Sequence, residues 1–295
     1  MTATARQPQP GVPRAHEAAG LSMEFDLAGE PAAARRALAG LAPGGSVVGL
    51  GAPLVAAMGG HVAGLESFAA IGTGPVFPGT QRACWTFVSA ADPSAAFDEA
   101  RRLAGALAPA LSMVESTILF RYRNDRELLG YRDGLANPPA GPEALAAAIV
   151  AEGPVAGGSF AVTQRYLYAP GAFHRLPPAG RDAVIGRDNA TDEELDDAPD
   201  TAHVKRTEQE HFAPGGTMLR HSMPWGDARR HGLQFIGFSA QPNLARRMLE
   251  RMAGLEDGIV DALLDHVVAE TGGYYFCPPL LDGKLDLSGL GLPPA

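Results

Sequence analysis

Eight histidines, at positions 16, 61, 174, 203, 211, 221, 231 and 266, are the side chains best suited to hold a transition metal or move a proton near neutral pH. No two stand four apart, the spacing that sets two ligands on one helix face. A multi-histidine metal site is therefore not signalled, and a single axial ligand stays open. Gly49-Leu50-Gly51 follows a strand-like stretch, but a dinucleotide-binding turn needs its third glycine where this chain has Leu54. Cys84 and Cys277 sit far apart in apolar stretches and predict two buried free thiols.

The most informative string is GYRDGLANPP at 130–139, which sets Asp133 against a glycine and an Asn-Pro turn just after a strand. Composition alone makes it a turn; a carboxylate presented there could equally serve as a general base. Three later segments carry further reactive groups: His203 in Ala202-His203-Val204, Arg220 in LRHSMPWGD at 219–227, and Asp265 in LLDHVVAETGGYYFCPP at 263–279. A lone histidine in such a setting is as readily a packed or surface residue.

Taken in order, these strings resemble the Gly-x-x-Asp-Gly motif, the proximal histidine segment, the distal arginine segment and the C-terminal signature of dye-decolourising-type peroxidases. PVFPGTQRACWTFV at 75–88 and VVGLG at 47–51 are similar to the same family, so the likeness runs from about residue 20 to 280. The short linker and compact loops resemble the bacterial B-type, also called P-type, subgroup. The resemblance implies haem b, with His203 as the proximal iron ligand, Asp265 paired to it, and Asp133 and Arg220 as the distal catalytic pair. The chain has no Cys-x-x-Cys-His, so haem would be held without thioether links. Arg187 and His221 are the implied propionate partners, and Leu233, Phe235 and Phe238 the implied haem wall, although each also suits ordinary packing. Ser222 stands where some members carry an asparagine in the distal water network, and a hydroxyl holds fewer partners than a carboxamide.

The implied reaction takes hydrogen peroxide as oxidant and bulky organic donors as reductants, with Trp225, Tyr131, Tyr274 and Tyr275 as candidate electron relays. Three alternatives share parts of this pattern: a non-catalytic haem-binding or iron-handling protein, a chlorite-decomposing haem enzyme, and a cofactor-free ferredoxin-like binding protein. A homo-oligomer is expected. Some family members enter encapsulin shells through apolar tails, but the expected Gly-Ser-Leu order is absent from KLDLSGLGLPPA at 284–295, which predicts an ordinary frayed end.

These residues need a scaffold, and apolar periodicity supplies one. Strands are predicted at 21–27, 46–50, 82–89 and 113–120, with helices opening at Glu30-Pro31 and at Asp92-Pro93, the latter burying Phe97, Ala100, Leu103, Ala104 and Leu107. That order is a split βαβ unit. Further strands at 159–168, 217–221, 233–239 and 274–277, with a helix at 242–253 ending at Gly254, repeat the theme. FVSAADPSAAFDEARRLAGAL at 87–107 echoes FIGFSAQPNLARRMLERMAGL at 235–255. The expected fold is thus α+β, with two tandem ferredoxin-like domains of antiparallel sheet and haem in the C-terminal half. The boundaries are a flexible arm at 1–20, a first domain at 21–137, a connection at 138–157, a second domain at 158–283 and a tail at 284–295.

Formal net charge is -9, a field that repels phosphate backbones and anionic lipid, so nucleic acid and membrane partners are disfavoured. No apolar run reaches the ~20 residues of a membrane span, and the first residues lack a signal-peptide core, which places the chain in the cytoplasm as an expectation. TDEELDDAPD at 191–200 carries six carboxylates and predicts a solvated loop that could bias the approach of cationic reductants.

Overall fold

The computed structural model describes residues 5–74, 76–213 and 215–293. The first four residues of the predicted arm, Pro75 and the last two of the tail lie outside that description. The first half runs β1 (Ala19–Leu27), α1 (Pro31–Gly40), β2 (Val47–Gly51), α2 (Ala52–Ala57), β3 (Cys84–Ala90), α3 (Pro93–Leu107) and β4 (Leu111–Phe120). Then come α4 (Pro142–Ala148), β5 (Ser159–Tyr168), α5 (Pro170–His174), α6 (Pro178–Ile185), α7 (His203–Arg206), β6 (Leu219–Arg220), β7 (Met223–Gly226), β8 (His231–Ser239) and α8 (Leu244–Met252). The chain closes with β9 (Val267–Ala269), β10 (Gly273–Cys277), β11 (Leu280–Leu281) and β12 (Lys284–Leu285).

Local chemistry sets the helix ends. Asp92 accepts from the backbone N–H of Ser94 and Ala95 at 2.9 and 3.0 Å, and Pro93 fills the first turn of α3. The chain leaves α8 through Gly254, whose φ of 72° suits a residue without Cβ. Helix α3 buries Ala96, Ala100, Leu103 and Leu107 as one stripe, and Phe97, one position off that stripe, points outward at 55% exposure.

Strands β11 and β12 pair apart, and β1 to β10 form one closed sheet. Its order is β4-β1-β3-β2 in the first half and β10-β5-β8-β7 in the second, all antiparallel neighbours. Two thin seams join these runs: β2 meets β10 at Leu50–Phe276 and Gly51–Tyr275, and β4 meets β7 at Leu119–Trp225. The expected mixture of helices and antiparallel sheet is present, and the strands of the two halves join in one barrel-like whole, which hides the edge strands each half would otherwise expose.

Alternation along each strand divides the core. Trp85 and Phe87 of β3 face the barrel interior with Ala161, Ile236, Phe238 and Tyr275, while Cys84 and Val88 pack among helix residues such as Leu38 and Leu103. Both cysteines are free and buried, and burial pushes the Cys84 thiol up to about 12. The described part of the arm is docked: Gln9 is buried, its amide bonded to Val48 on both sides and to the Pro278 carbonyl, and Val12 joins the core. The described tail is not frayed, since Leu285, Leu287 and Leu290 are buried. No helix among the described residues is long and apolar enough to cross a membrane.

One buried acid gives the barrel a pH signature. Burial pushes Glu24 up to about 7, with Arg82 at 3.9 Å opposing and Glu115 reinforcing the rise. A raised acid contributes stability that is fully present below its unfolded value and is lost as pH rises through the folded one. Glu24→Gln should therefore be more stable than wild type at pH 8 by about 1–3 kcal/mol, with the advantage fading toward pH 5. Urea midpoints at the two pH values check it; an advantage equal at both would contradict the assignment.

Candidate functional site

His203 opens α7, a single turn fixed from below by Arg206, whose buried guanidinium donates to Asp257 at 2.8 and 2.9 Å and to the Arg251 carbonyl at 2.8 Å. The segment is a single helical turn. His203 Nδ1 lies 2.7 Å from Oδ2 of Asp261, a carboxylate with no exposed surface whose Oδ1 accepts from the Leu263 N–H at 2.9 Å. A carboxylate accepts, so Nδ1 carries the proton and Nε2 presents its lone pair. Burial opposes charge on this imidazole, but Asp261 outweighs it and raises the ring above its ordinary value.

Asp265, the expected partner of His203, is exposed at the far end of the turn that Asp261 caps. The correction is four residues, and a capping signal could have found it: Asp261 stands directly before Ala262–Asp265 and its side chain holds that turn.

Arg220 sits on β6 beside the 130–139 loop. Asn137 clamps the two: its Nδ2 donates to the Arg220 carbonyl and its Oδ1 accepts from the Arg220 N–H, both at 2.9 Å. Sequence reasoning noticed Asn137 only as part of a turn. Asp133 accepts from Gly134 N–H at 2.6 Å, and Gly134 has φ 78°, so the loop needs glycine there. The Arg220 Nε is buried and has no hydrogen-bond partner among the described residues.

These groups converge on adjoining cavities. In one of them His203 and Arg220 meet apolar Leu233, Phe235, Met248 and Leu249. A second holds Asp133, Arg220, Ser222 and Glu127, and a third opening brings Asp133, Arg220 and His203 together with Arg187. The arrangement can seat a flat apolar ligand, offer one imidazole nitrogen to a metal ion, and set a carboxylate and a cation near it.

The other expected residues divide. Leu233 and Phe235 line the first cavity, whereas Phe238 belongs to the barrel interior. Arg187 stands at the outer opening but is engaged by Glu194 and the Asp192 carbonyl, each at 2.6 Å. His221 is turned to the arm, its Nε2 2.8 Å from the Val12 carbonyl, and burial lowers it to about 4, so it stays neutral and is not a propionate cation. Ser222 keeps a buried hydroxyl without a partner among the described residues. None of Trp225, Tyr131, Tyr274 and Tyr275 lines the first cavity; Tyr166 and Tyr168, which were not singled out, do.

A family model, Dyp-type peroxidase, C-terminal, matches residues 124–282, more than half of the chain, a span that includes Asp133, His203, Arg220 and Asp261. The chain belongs to the Dyp-type peroxidase family. A dye-decolorizing peroxidase of Mycolicibacterium paratuberculosis is 35% identical over 213 residues, 68% of this chain and 59% of that protein, so the match spans less than two thirds of the curated relative. Among solved structures, the encapsulated DyP-type peroxidase from Mycobacterium smegmatis has a TM-score of 0.85 at 28% identity, covering 93% of this chain and 96% of that one. A DypB variant of Rhodococcus jostii RHA1, in complex with haem, has a TM-score of 0.83 at 28% identity over 93% of this chain and 97% of that one. These Dyp-type neighbours fit the B-type subgroup and carry the same mixture of helices and antiparallel sheet.

Proposed function

We propose that this Dyp-type chain is a haem b peroxidase that reduces hydrogen peroxide and oxidises dyes, phenols or other bulky donors. The observation that carries the reading is the Asp261–His203 couple at an apolar cavity that Arg220 also lines. The cavity fits the group: its walls suit a porphyrin face, and its exposed nitrogen is a histidine Nε2 whose tautomer a carboxylate fixes. Bound there, haem would supply the redox iron at which the peroxide O–O bond is broken.

The chain's own residues supply the rest. His203 Nε2 would hold the haem iron, and Asp261 would enrich the electron density of that nitrogen through the Nδ1 proton. Asp133 takes the proton from one peroxide oxygen and returns it to the other. Arg220 stabilises the negative charge that develops on the departing oxygen, a role for which a half-buried cation whose Nε has no hydrogen-bond partner among the described residues is prepared. Leu233 and Phe235 form part of the haem wall, and Arg187 reaches a propionate by releasing Glu194.

The two four-stranded runs read as copies of one split βαβ unit, with β3-α3 and β8-α8 at equivalent places. Exposed Met113, Val114 and Ile118 on β4 support the homo-oligomer. Entry into an encapsulin shell, prompted by the encapsulated relative, gains nothing from a tail packed down through Leu290. The activity is tested by peroxide-dependent oxidation of a phenolic dye by the haem-loaded protein. Turnover well above that of free haemin is expected; haem retained without turnover would favour the non-catalytic haem-binding reading.

A further inference from the structure

Beyond β4 the chain turns through Arg123, Asn124 and Asp125, three consecutive residues with positive φ, of 28°, 55° and 65°. Side chains with a Cβ resist that conformation, and none of the three is glycine. The turn leads into a short hairpin. Its arms meet at the Arg126–Arg132 bridge, and inside it Glu127 N–H donates to the Tyr131 carbonyl at 2.8 Å. At its open end Asp133 N–H donates to the Asp125 carbonyl at 3.0 Å. The last of the three strained residues therefore holds the main chain of Asp133, the proton acceptor proposed above.

The two ends of the hairpin are anchored differently. Near its tip the Gly130 carbonyl accepts from Asn189 Nδ2 at 2.9 Å, and Asp192 lies 3.4 Å from Arg126. At the Asp133 end, Arg121 grips Asp125 with two prongs of its guanidinium: Nε donates to Oδ1 at 2.5 Å and Nη2 to Oδ2 at 2.7 Å. Arg121 directly follows β4 and is itself fixed to the barrel, since its N–H donates to the Ala18 carbonyl at 2.9 Å beside β1. A two-pronged bond of this kind sets orientation as well as distance. Arg121, Asp125 and Asp133 all line the second cavity, which Arg220 shares.

We propose that Arg121 and Asp125 are positioning residues for the peroxide step: their ion pair holds the strained turn closed and so keeps the Asp133 carboxylate in place beside Arg220. The inference rests on the reading of Asp133 as proton acceptor and deepens it. Neither residue touches peroxide; both act through the main chain of Asp133. A proton acceptor works only within hydrogen-bond reach, and a displacement of about 1 Å costs rate. The pair is half-exposed, so its effect is modest and salt weakens it.

Arg121→Gln and Asp125→Asn both remove the ion pair, and asparagine keeps the left-handed backbone and the carbonyl that Asp133 needs. In the haem-free protein, amide hydrogen exchange followed by NMR should be about three- to tenfold faster at Asp133 in each variant. It should stay unchanged at Glu127, whose N–H bond lies inside the hairpin. Unaltered exchange at Asp133 in both variants overturns the proposal whatever the protein does with haem. In the haem-loaded protein, Arg121→Gln should slow the stopped-flow reaction with peroxide by about three- to tenfold and leave the Soret band in place. Added salt should bring the wild-type rate down toward that of Arg121→Gln and leave the variant's rate alone, which a packing role would not do. Placed on Asp133→Asn, Arg121→Gln should slow the reaction no further, because both act through one carboxylate. A further loss on that background, or equal salt dependence in the two proteins, overturns the positioning role. An Asp133→Asn protein as fast as wild type overturns the proton-acceptor reading, and this proposal with it, even where exchange at Asp133 responds as expected.

Discussion

Arg220→Leu and Asp133→Asn should each slow the reaction of the haem-loaded protein with peroxide by about 10²–10⁴-fold, measured by stopped-flow absorption. The two changes remove different things. Asparagine keeps an oxygen that can accept from Gly134 N–H, so the 130–139 loop stays in place while the proton acceptor is lost. Leucine removes the cation but not the main-chain groups that Asn137 clamps. The double variant should be little slower than the worse single one, because residues that act on the same proton and the same developing charge are not additive. Unchanged rates in all three would remove both side chains from the reaction.

His203→Ala should have the second large effect, the loss of axial ligation. It leaves Asp261 buried, with Leu263 N–H still bonded to it but the histidine proton gone. The variant should release haem during gel filtration and lack the ligand-field bands of a histidine-bound iron. Asp261→Asn tests the partner correction: weakening by about 10–100-fold in affinity or activity is expected of a group that orients a metal-binding histidine. Asp265→Asn, on an exposed turn, should do neither.

Groups carried by short contiguous strings were legible in the sequence. Asp133 and Arg220 could be named because each lies in a local motif, and the structure gathers both with His203 around one opening. The Asp92 cap of α3 was legible because an N-cap acts within three residues of itself. Choosing between Asp261 and Asp265 depends on which acid is buried against His203, a contact 58 residues long that the local pattern does not encode. His221 failed as a propionate partner for a similar reason: its acceptor, the Val12 carbonyl, lies 209 residues away on the docked arm. The seams that close the sheet were equally hidden. Strand alternation says which face is buried, not which edge of one half meets the other, and β4 meets β7 through Leu119 and Trp225 alone.

The central claim is that one imidazole, held by Asp261, binds haem iron in the cavity between β5, β8 and α8. Titrating the haem-free protein with haemin while recording the Soret region tests it most directly. One equivalent should saturate an intense band in the wild type, and His203→Ala should alter its position and weaken binding. No band at any haemin concentration, or an identical band and affinity in His203→Ala, would contradict the account.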